Sequence, residues 1–327
     1  MKKLTTFLML CVAMMLSAQD VDKATVTAQA DAAKAAVGDL SKLSVGEQSP
    51  WKCTGVIGLN ASATGLVNWA AGGKNNVNGV AFANIRLLYK KNRMAWDTNL
   101  DTDLGYSWID QDEDPLQKTN DKIVFTTKFG YEFAKSWYAT AVGSFRSSYL
   151  YGYEYATGDN PIMSKWLAPS YTDLSVGIDW KPNDIFSVYL SPVAGRITTA
   201  YVANNDSLAN VLKIKYGVTD AEGQPREADF KAEMGLTFKG SVNYTLVKNL
   251  KILSTVSLFT PYNQKFGNFD VDWDVSISYQ FLKVLNVSLG TSLKYYDSVM
   301  IADKNGENAK QRVQFKSVLG LGIGYSF

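Results

Sequence analysis

Histidine is missing altogether from the 327 residues. That removes the side chain most often used as a general base near neutral pH, and with it Ser-His-Asp hydrolysis and histidine-based metal sites. Cysteine is reduced to Cys11 and Cys53, and proline is sparse at 8. After residue 18 no stretch approaches the roughly eighteen consecutive apolar residues of a membrane helix. An excess of one charge sign is lacking too: 33 Lys+Arg against 31 Asp+Glu leave +2, which points to neither a nucleic-acid binder nor an acidic tail. Aromatic residues abound instead, with 8 Trp, 18 Tyr and 15 Phe. A mean hydropathy of -0.11 suits a soluble protein. It equally suits a membrane β-barrel, whose strands alternate lipid-facing apolar and lumen-facing polar residues.

The chain opens with Lys2-Lys3, an apolar run from Leu4 to Leu16, and then Ser17-Ala18-Gln19. A basic start, a short apolar core and small residues before a polar break describe a cleavable secretory signal, with cleavage expected after Ala18. The run is too short to span a bilayer as a helix. Cys11 falls inside this signal and follows Leu10, which argues against a lipoprotein cysteine. The mature chain then keeps Cys53, and one thiol makes no internal bridge. Residues 19–50 are Ala-rich and polar, with helix-forming composition but no wide apolar face, and read as a periplasmic leader, partly helical or disordered.

From Trp51 to Phe327 the pattern has period two. The clearest strand, 270–281, sets Asp270, Asp272, Asp274, Ser276, Ser278 and Gln280 against Val271, Trp273, Val275, Ile277, Tyr279 and Phe281. Such length exceeds the five or six residues usual in soluble strands and suits a tilted strand crossing hydrocarbon. Similar alternation marks 94–106, 122–131, 229–244 and 312–327. Weaker candidates lie at 54–62, 79–89, 137–150, 172–180, 186–193, 251–259 and 286–296. The expectation is an all-β fold, a closed antiparallel transmembrane barrel over 51–327 of about 12 strands (10–14).

Connection lengths carry an independent signal. Tight turns near 90–93, 134–136, 181–184, 247–249 and 282–284 alternate with longer polar loops near 63–77, 107–120, 151–170, 197–228, 260–268 and 297–311. Short periplasmic turns and long external loops are how outer-membrane barrels are connected. In hydrocarbon no water satisfies a free sheet edge, so first and last strands must pair. Aromatics near strand ends, such as Tyr89, Trp96, Trp137 and Trp180, fit interfacial girdles. The terminal Phe327 on an amphipathic last strand fits a signal for the barrel-assembly machinery.

The polar face is heavily charged. Asp97, Asp101, Asp103, Glu233, Asp270, Asp272 and Asp274 supply acid, while Arg146, Lys239 and Lys294 supply base. These are the expected lumen-lining residues. They describe either a polar conduit of little net charge selectivity, or a solute site, or an ion-pair network that fills the lumen and stiffens the wall. Asp270-x-Asp272-x-Asp274 does not make a calcium site, because strand alternation spreads it along one face. Asp110-x-Asp112-x-Asp114 lacks the glycine and closing glutamate of a calcium loop and reads as a solvated acidic loop or a place for divalent bridging to lipopolysaccharide. No metal, cofactor or catalytic residue is assigned. Residues 208–215 form a possible short helix that either constricts the lumen or caps it.

Asn68-Trp69-Ala-Ala-Gly72-Gly73-Lys-Asn75 marks the first external loop. Trp51-Lys52-x-x-Gly55 and Gly58-x-Asn60-x-Ser62 precede it, and Ser191-Pro192-x-x-Gly195-Arg196 follows a later strand. Together these resemble the domain-of-unknown-function 3078 family of Bacteroidetes-type outer-membrane proteins, over roughly 51–327. Asn76 stands where Ser or Thr is usual. The resemblance implies an outer-membrane location and a barrel of this size, and brings no established activity. Physically, Gly72-Gly73 permits a tight reversal and Trp69 a surface anchor.

The leading expectation is therefore a passive channel or small-solute uptake barrel, not an enzyme. The alternative is a plugged barrel serving as structural or assembly partner of other outer-membrane proteins. Expected partners are outer-membrane lipid and lipopolysaccharide, with the barrel-assembly machinery during biogenesis, and no nucleic acid.

Overall fold

The computed structural model describes residues 50–64, 74–110, 112–155, 161–183, 185–220, 222–247, 250–262, 266–280, 285–297, 300–301 and 310–326. The expected signal peptide, most of the leader, Asn68, Trp69, Gly72, Gly73 and Phe327 lie outside these residues.

One antiparallel sheet dominates. It begins with β1 (Trp51–Thr64), β2 (Asn76–Lys91), β3 (Met94–Ile109), β4 (Leu116–Ala134) and β5 (Trp137–Ser147). A short ribbon of β6 (Gly152–Tyr153) and β7 (Ile162–Ser164) interrupts before β8 (Ser170–Trp180) and β9 (Phe186–Thr199). A helix, α1 (Asp206–Lys215), then precedes β10 (Phe230–Val247), β11 (Leu250–Pro261), β12 (Asp270–Gln280) and β13 (Leu285–Tyr295). A second ribbon, β14 (Met300–Ile301) with β15 (Lys310–Gln311), leads to β16 (Gln314–Ser326). Among the described residues each of the twelve long strands pairs antiparallel with its predecessor and successor. The ladder returns on itself through Val56↔Ser326, Ile57↔Tyr325 and Gly58↔Gly324.

Why these segments are strands follows from their alternation, and the register shows which face is which. Arg196 on β9 reaches Asp270 on β12, past β10 and β11. Lys128 on β4 reaches Asp179 on β8, past β5. A side chain meets another two or three strands away only on the concave side of a curved sheet. That side is the inner face. Cross-strand pairing carries the assignment round the sheet, through Leu88↔Asp97↔Lys128↔Val142 and through Lys239↔Ser257↔Asp272↔Lys294. The outer face exposes Ile57, Leu87, Trp96, Phe125, Leu174, Val176, Leu190, Phe230, Met234 and Trp273.

At the end where the tight turns lie, the outer aromatics touch one another. Trp51 lies 4.8 Å from Tyr89 and 6.4 Å from Trp96, and Trp137 lies 6.0 Å from Trp180, between ring centroids. The turns themselves place Asn92 (φ 53) and Ser136 (φ 66) in the left-handed region, which Asn accepts more readily than Ser.

Three features depart from the plain alternation. The strand expected at 122–131 begins six residues earlier, at Leu116. A bulge at Thr119 hides the extension, because Gly105 pairs with Asn120 but Tyr106 with Lys118, so the period-two pattern slips there. The loop expected at 107–120 shrinks accordingly to the residues between Ile109 and Leu116. In β9, Pro192 has no N–H for the ladder, and it sits inside a bulge where Val176 pairs with Val193 but Ile178 with Leu190. The Ser191 hydroxyl lies 2.8 Å from both the Val176 and Val193 carbonyls. Gly177 faces this kink, and a Cβ there would stand 2.1 Å from the Leu190 carbonyl oxygen. The third departure is apolar residues on the inner face, Val80, Phe82 and Phe259, all buried.

The long segment between β9 and β10 holds α1. Asn205 caps it, its side chain accepting from the Leu208 N–H at 3.0 Å. Ala209 and Leu212 pack with Ala168 and Val202 beyond the ends of β8 and β9 that lie opposite their tight turn. The Tyr216 hydroxyl donates to the Met163 carbonyl on β7. The helix thus docks on the connection between β7 and β8, at the end of the sheet away from the tight turns.

Candidate functional site

The inner face carries two groups of charges. On the first arc, Arg86 of β2 forks onto Asp97 of β3, with Nε to Oδ1 at 2.7 Å and a second bond from Nη2 to Oδ2. Lys122 of β4 lies 2.7 Å from Asp101 and 3.6 Å from Asp103. These partners are on adjoining strands, held in place by register. Below them Asp179, buried, receives Lys128 at 2.5 Å, Lys181 at 3.4 Å and the Ser187 hydroxyl at 3.0 Å. Lys128 also lies over the Tyr189 ring at 5.5 Å.

The second group centres on Asp272. Lys294 lies 3.0 Å from it, and the Tyr296 hydroxyl donates to it at 2.5 Å. Arg196 bonds Asp173 through Nε and Asp270 through Nη1, both at 2.9 Å, with its guanidinium 4.4 Å from the Phe259 ring centroid. The aromatic face under a cation this far from bulk water supports it as a cation–π contact. Arg146 lies 4.6 Å above the Tyr171 ring. Arg146, Arg196 and Lys239 all act electrostatically on, or feel, Asp272.

The residues expected on the lumen wall are therefore placed as follows. Asp97, Asp101, Asp103, Asp270 and Asp272 lie on the inner face within ion pairs. Glu233 pairs with Lys231 at 3.0 Å and Lys294 with Asp272. Asp274 lies on the same face, exposed. Arg146 and Lys239 lie on it without an ion-pair partner among the described residues. Tyr171, Asp173, Asp179, Arg196 and Tyr296 join the clusters although the sequence reading gave them no role on this face. Asp173 and Asp179 share the alternation of β8 with Tyr171, which was the available signal. Of the loop motif, Asn75 is described. It accepts the Asp110 N–H at 2.8 Å, and its side chain donates to the Asp110 carboxylate at 3.3 Å. Lys74 lies 3.1 Å from Asp112, and that hydrogen bond holds the Asp112 carboxyl below the usual carboxylate range. The acidic loop is thus tied to the motif loop by a lysine and an asparagine. Among the described residues no cluster of three metal-ligating side chains occurs.

One segment of the chain is similar to a described family. Residues 61–153 match the family model described as protein of unknown function (DUF3078). The matched segment contains the Asn68–Asn75 motif and strands β2 to β5. It is narrower than the 51–327 expected, and Ser191-Pro192-x-x-Gly195-Arg196 lies beyond it. No curated protein matches. Similar solved structures include an outer-membrane channel from Pseudomonas putida F1, with 11% identity, 88% of this chain and 100% of that chain covered, and a TM-score of 0.40. The translocator domain of the autotransporter NalP from Neisseria meningitidis has 11% identity, 92% and 99% coverage and a TM-score of 0.39. The NanC porin has 9% identity, 82% and 98% coverage and a TM-score of 0.36.

Proposed function

We propose that this chain is a closed β-barrel spanning a bacterial outer membrane, and that its inner face conducts small polar solutes. The observation that carries the reading is the division of the wall: exposed apolar side chains outside, ion pairs that reach across strands inside. Contiguous apolar surface of that extent is not left to water by soluble proteins. Strand length agrees. The shortest wall strands have 11 residues, or about 36 Å at about 3.3 Å each. Tilted by about 45°, they project to about 25 Å along the membrane normal, the height of the apolar band of outer-membrane barrels. Residues 1–18 serve as the export signal, and Phe327 serves recognition by the assembly machinery.

No catalytic role is proposed. A second reading, a plugged barrel that acts as a structural or assembly partner, is favoured by Arg196, which bonds Asp173 on the adjoining strand and reaches past β10 and β11 to Asp270, so that its side chain takes up space on the inner side. Liposome swelling separates the two. Refolded protein lacking residues 1–18 should admit small sugars into liposomes at a rate that falls with solute size. Liposomes holding inserted, heat-modifiable protein that stay impermeable would favour the plug.

A further inference from the structure

We propose that the connection between β5 and β8 carries a binding surface for the phosphorylated sugar headgroup of lipopolysaccharide, built from stacked tyrosines and Trp166 on the outer side of the wall. The inference rests on the outer-membrane barrel reading and is independent of whether the lumen conducts.

The sequence Tyr149-Leu-Tyr151-Gly-Tyr153-Glu-Tyr155 sets four tyrosines at alternate positions. Alternate residues of an extended chain fall on one side, so this spacing brings rings into line. The rings do meet. Tyr151 lies 6.4 Å from Tyr153 with the ring planes 26° apart, and Tyr153 lies 6.1 Å from Tyr155. Tyr149 stacks instead on Trp166, at 6.4 Å and 13°, and Trp166 meets Phe145 at 5.9 Å. Tyr149, Tyr151, Tyr153 and Trp166 are still 38% to 48% exposed, so the rings pack on one another and keep surface open to a partner.

The platform is held from beneath. The Asp121 carboxylate accepts the Tyr149 and Leu150 N–H groups at 2.7 and 2.8 Å. Lys118 bonds the same carboxylate at 2.5 Å and donates to the Leu150 carbonyl at 2.8 Å. Tyr153 pairs with Ile162 across the β6–β7 ribbon. Rings fixed before a partner arrives lower the ordering cost of binding.

Register shows which side the platform faces. The Tyr149 hydroxyl lies 2.7 Å from that of Thr102, which alternates with inner-face Asp101 and Asp103 and so belongs to the outer face. Asp121 pairs with Leu104 and Phe145 with exposed Phe125, again on the outer face. A solute bound for the lumen does not pass here, whereas outer-leaflet lipid surrounds this side of the wall. In a bacterial outer membrane that lipid is lipopolysaccharide.

The chemistry fits its sugars better than its acyl chains. Tyr and Trp join an apolar body to a polar tip, which suits the wet boundary of a membrane more than its hydrocarbon. A sugar ring presents C–H groups to an aromatic face and hydroxyls at its rim to the phenols. Lys165 adds charge: its ammonium lies 5.6 Å over the Tyr151 ring, and no acidic side chain pairs with it among the described residues. A phosphate on the sugar supplies the missing anion.

The test is native mass spectrometry of refolded protein lacking residues 1–18, titrated in detergent with deep-rough lipopolysaccharide, with phosphatidylethanolamine and with maltoheptaose. The proposal expects saturable retention of lipopolysaccharide, at least about tenfold tighter than phosphatidylethanolamine, and no retention of maltoheptaose. Tyr151→Ala with Tyr153→Ala should weaken retention at least about tenfold. Lys165→Gln should weaken it about threefold, and should not affect dephosphorylated lipopolysaccharide. Trp273→Ala, which removes an exposed outer-face aromatic on β12, should leave retention unchanged. Heat-modifiability on gels establishes that each variant is folded, and Lys165→Gln keeps the test open if the double variant is not. Equal retention by wild type and the double variant overturns the platform. So does phosphatidylethanolamine held as tightly as lipopolysaccharide, which would reduce the rings to a general membrane anchor. Maltoheptaose bound in place of lipopolysaccharide would overturn the occupant. An inserted, heat-modifiable barrel that retains no lipopolysaccharide would sink the site and keep the barrel, and a chain that never inserts into lipid would sink both.

Discussion

On β2 to β4, Asp97 and Asp101 pair with Arg86 and Lys122 on adjoining strands, so the ladder itself brings the partners together. Around Asp272 adjoining pairs such as Asp272–Lys294 and Asp173–Arg196 are joined by a longer one: Arg196 also crosses two intervening strands to reach Asp270 and rests on Phe259 on the way. Adjacent pairs tie one strand to the next and leave the bore alone. A pair that skips two strands fixes the spacing of β9 and β12, a quarter of the way round the sheet, and takes up space on its concave side. Under the proposed conduit reading the first arc serves stiffness, and the second sets what passes.

The largest effect expected is on the side that neither arc occupies. Val176→Lys puts a charge on the outer face of β8 and should cost about 2–4 kcal/mol near the membrane midplane, read as loss of the heat-modifiable band on refolding into lipid. Thr255→Lys, on the inner face opposite exposed Asp274, should fold normally. If both variants fold equally well, the division of faces is wrong. Next, Arg196→Met leaves Asp173 and Asp270 facing each other without their cation. It should destabilise the barrel by about 1–3 kcal/mol, less than a fully buried pair because the site borders the lumen, and raise conductance.

Smaller effects sharpen the contrast. Tyr216→Phe removes the hydrogen bond that ties α1 to β7 and should cost about 1 kcal/mol locally, seen as faster amide exchange over 206–215. Burial, reinforced by Tyr171, pushes the Tyr216 phenol from 10.0 up to about 12. The neutral phenol is the form favoured in the docked state. Its contribution is complete below pH 10 and is lost as pH rises through about 12, so exchange over the helix should accelerate across that window. Smallest of all, Arg86→Gln breaks a part-exposed pair on adjoining strands and should cost about 0.5–1 kcal/mol with little change in conductance. A conductance change as large as that of Arg196→Met would erase the distinction between the arcs.

Much of the wall was legible because period-two alternation survives wherever the ladder is regular. Asp97 to Asp103 and Asp270 to Asp274 fall on one face simply by being two apart. Irregular ladder was not legible: the bulge at Thr119 concealed the start of β4, and the bulge at Pro192 offset β9 against β8. Hydropathy also misleads where an apolar residue serves a charge. Phe259 belongs to the inner face because Arg196 needs a surface to lie on. The clusters were the least legible part, since alternation says which face a residue occupies and nothing about which distant strand it meets. No local pattern joins Arg196 to a partner 74 residues away.

Single-channel recording in a planar bilayer tests the conduit and its constriction together, using refolded wild type and Arg196→Ala. The account predicts steady wild-type openings and a larger unit conductance in the variant. A bilayer that stays silent for both, with each protein shown to be inserted and heat-modifiable, would contradict it.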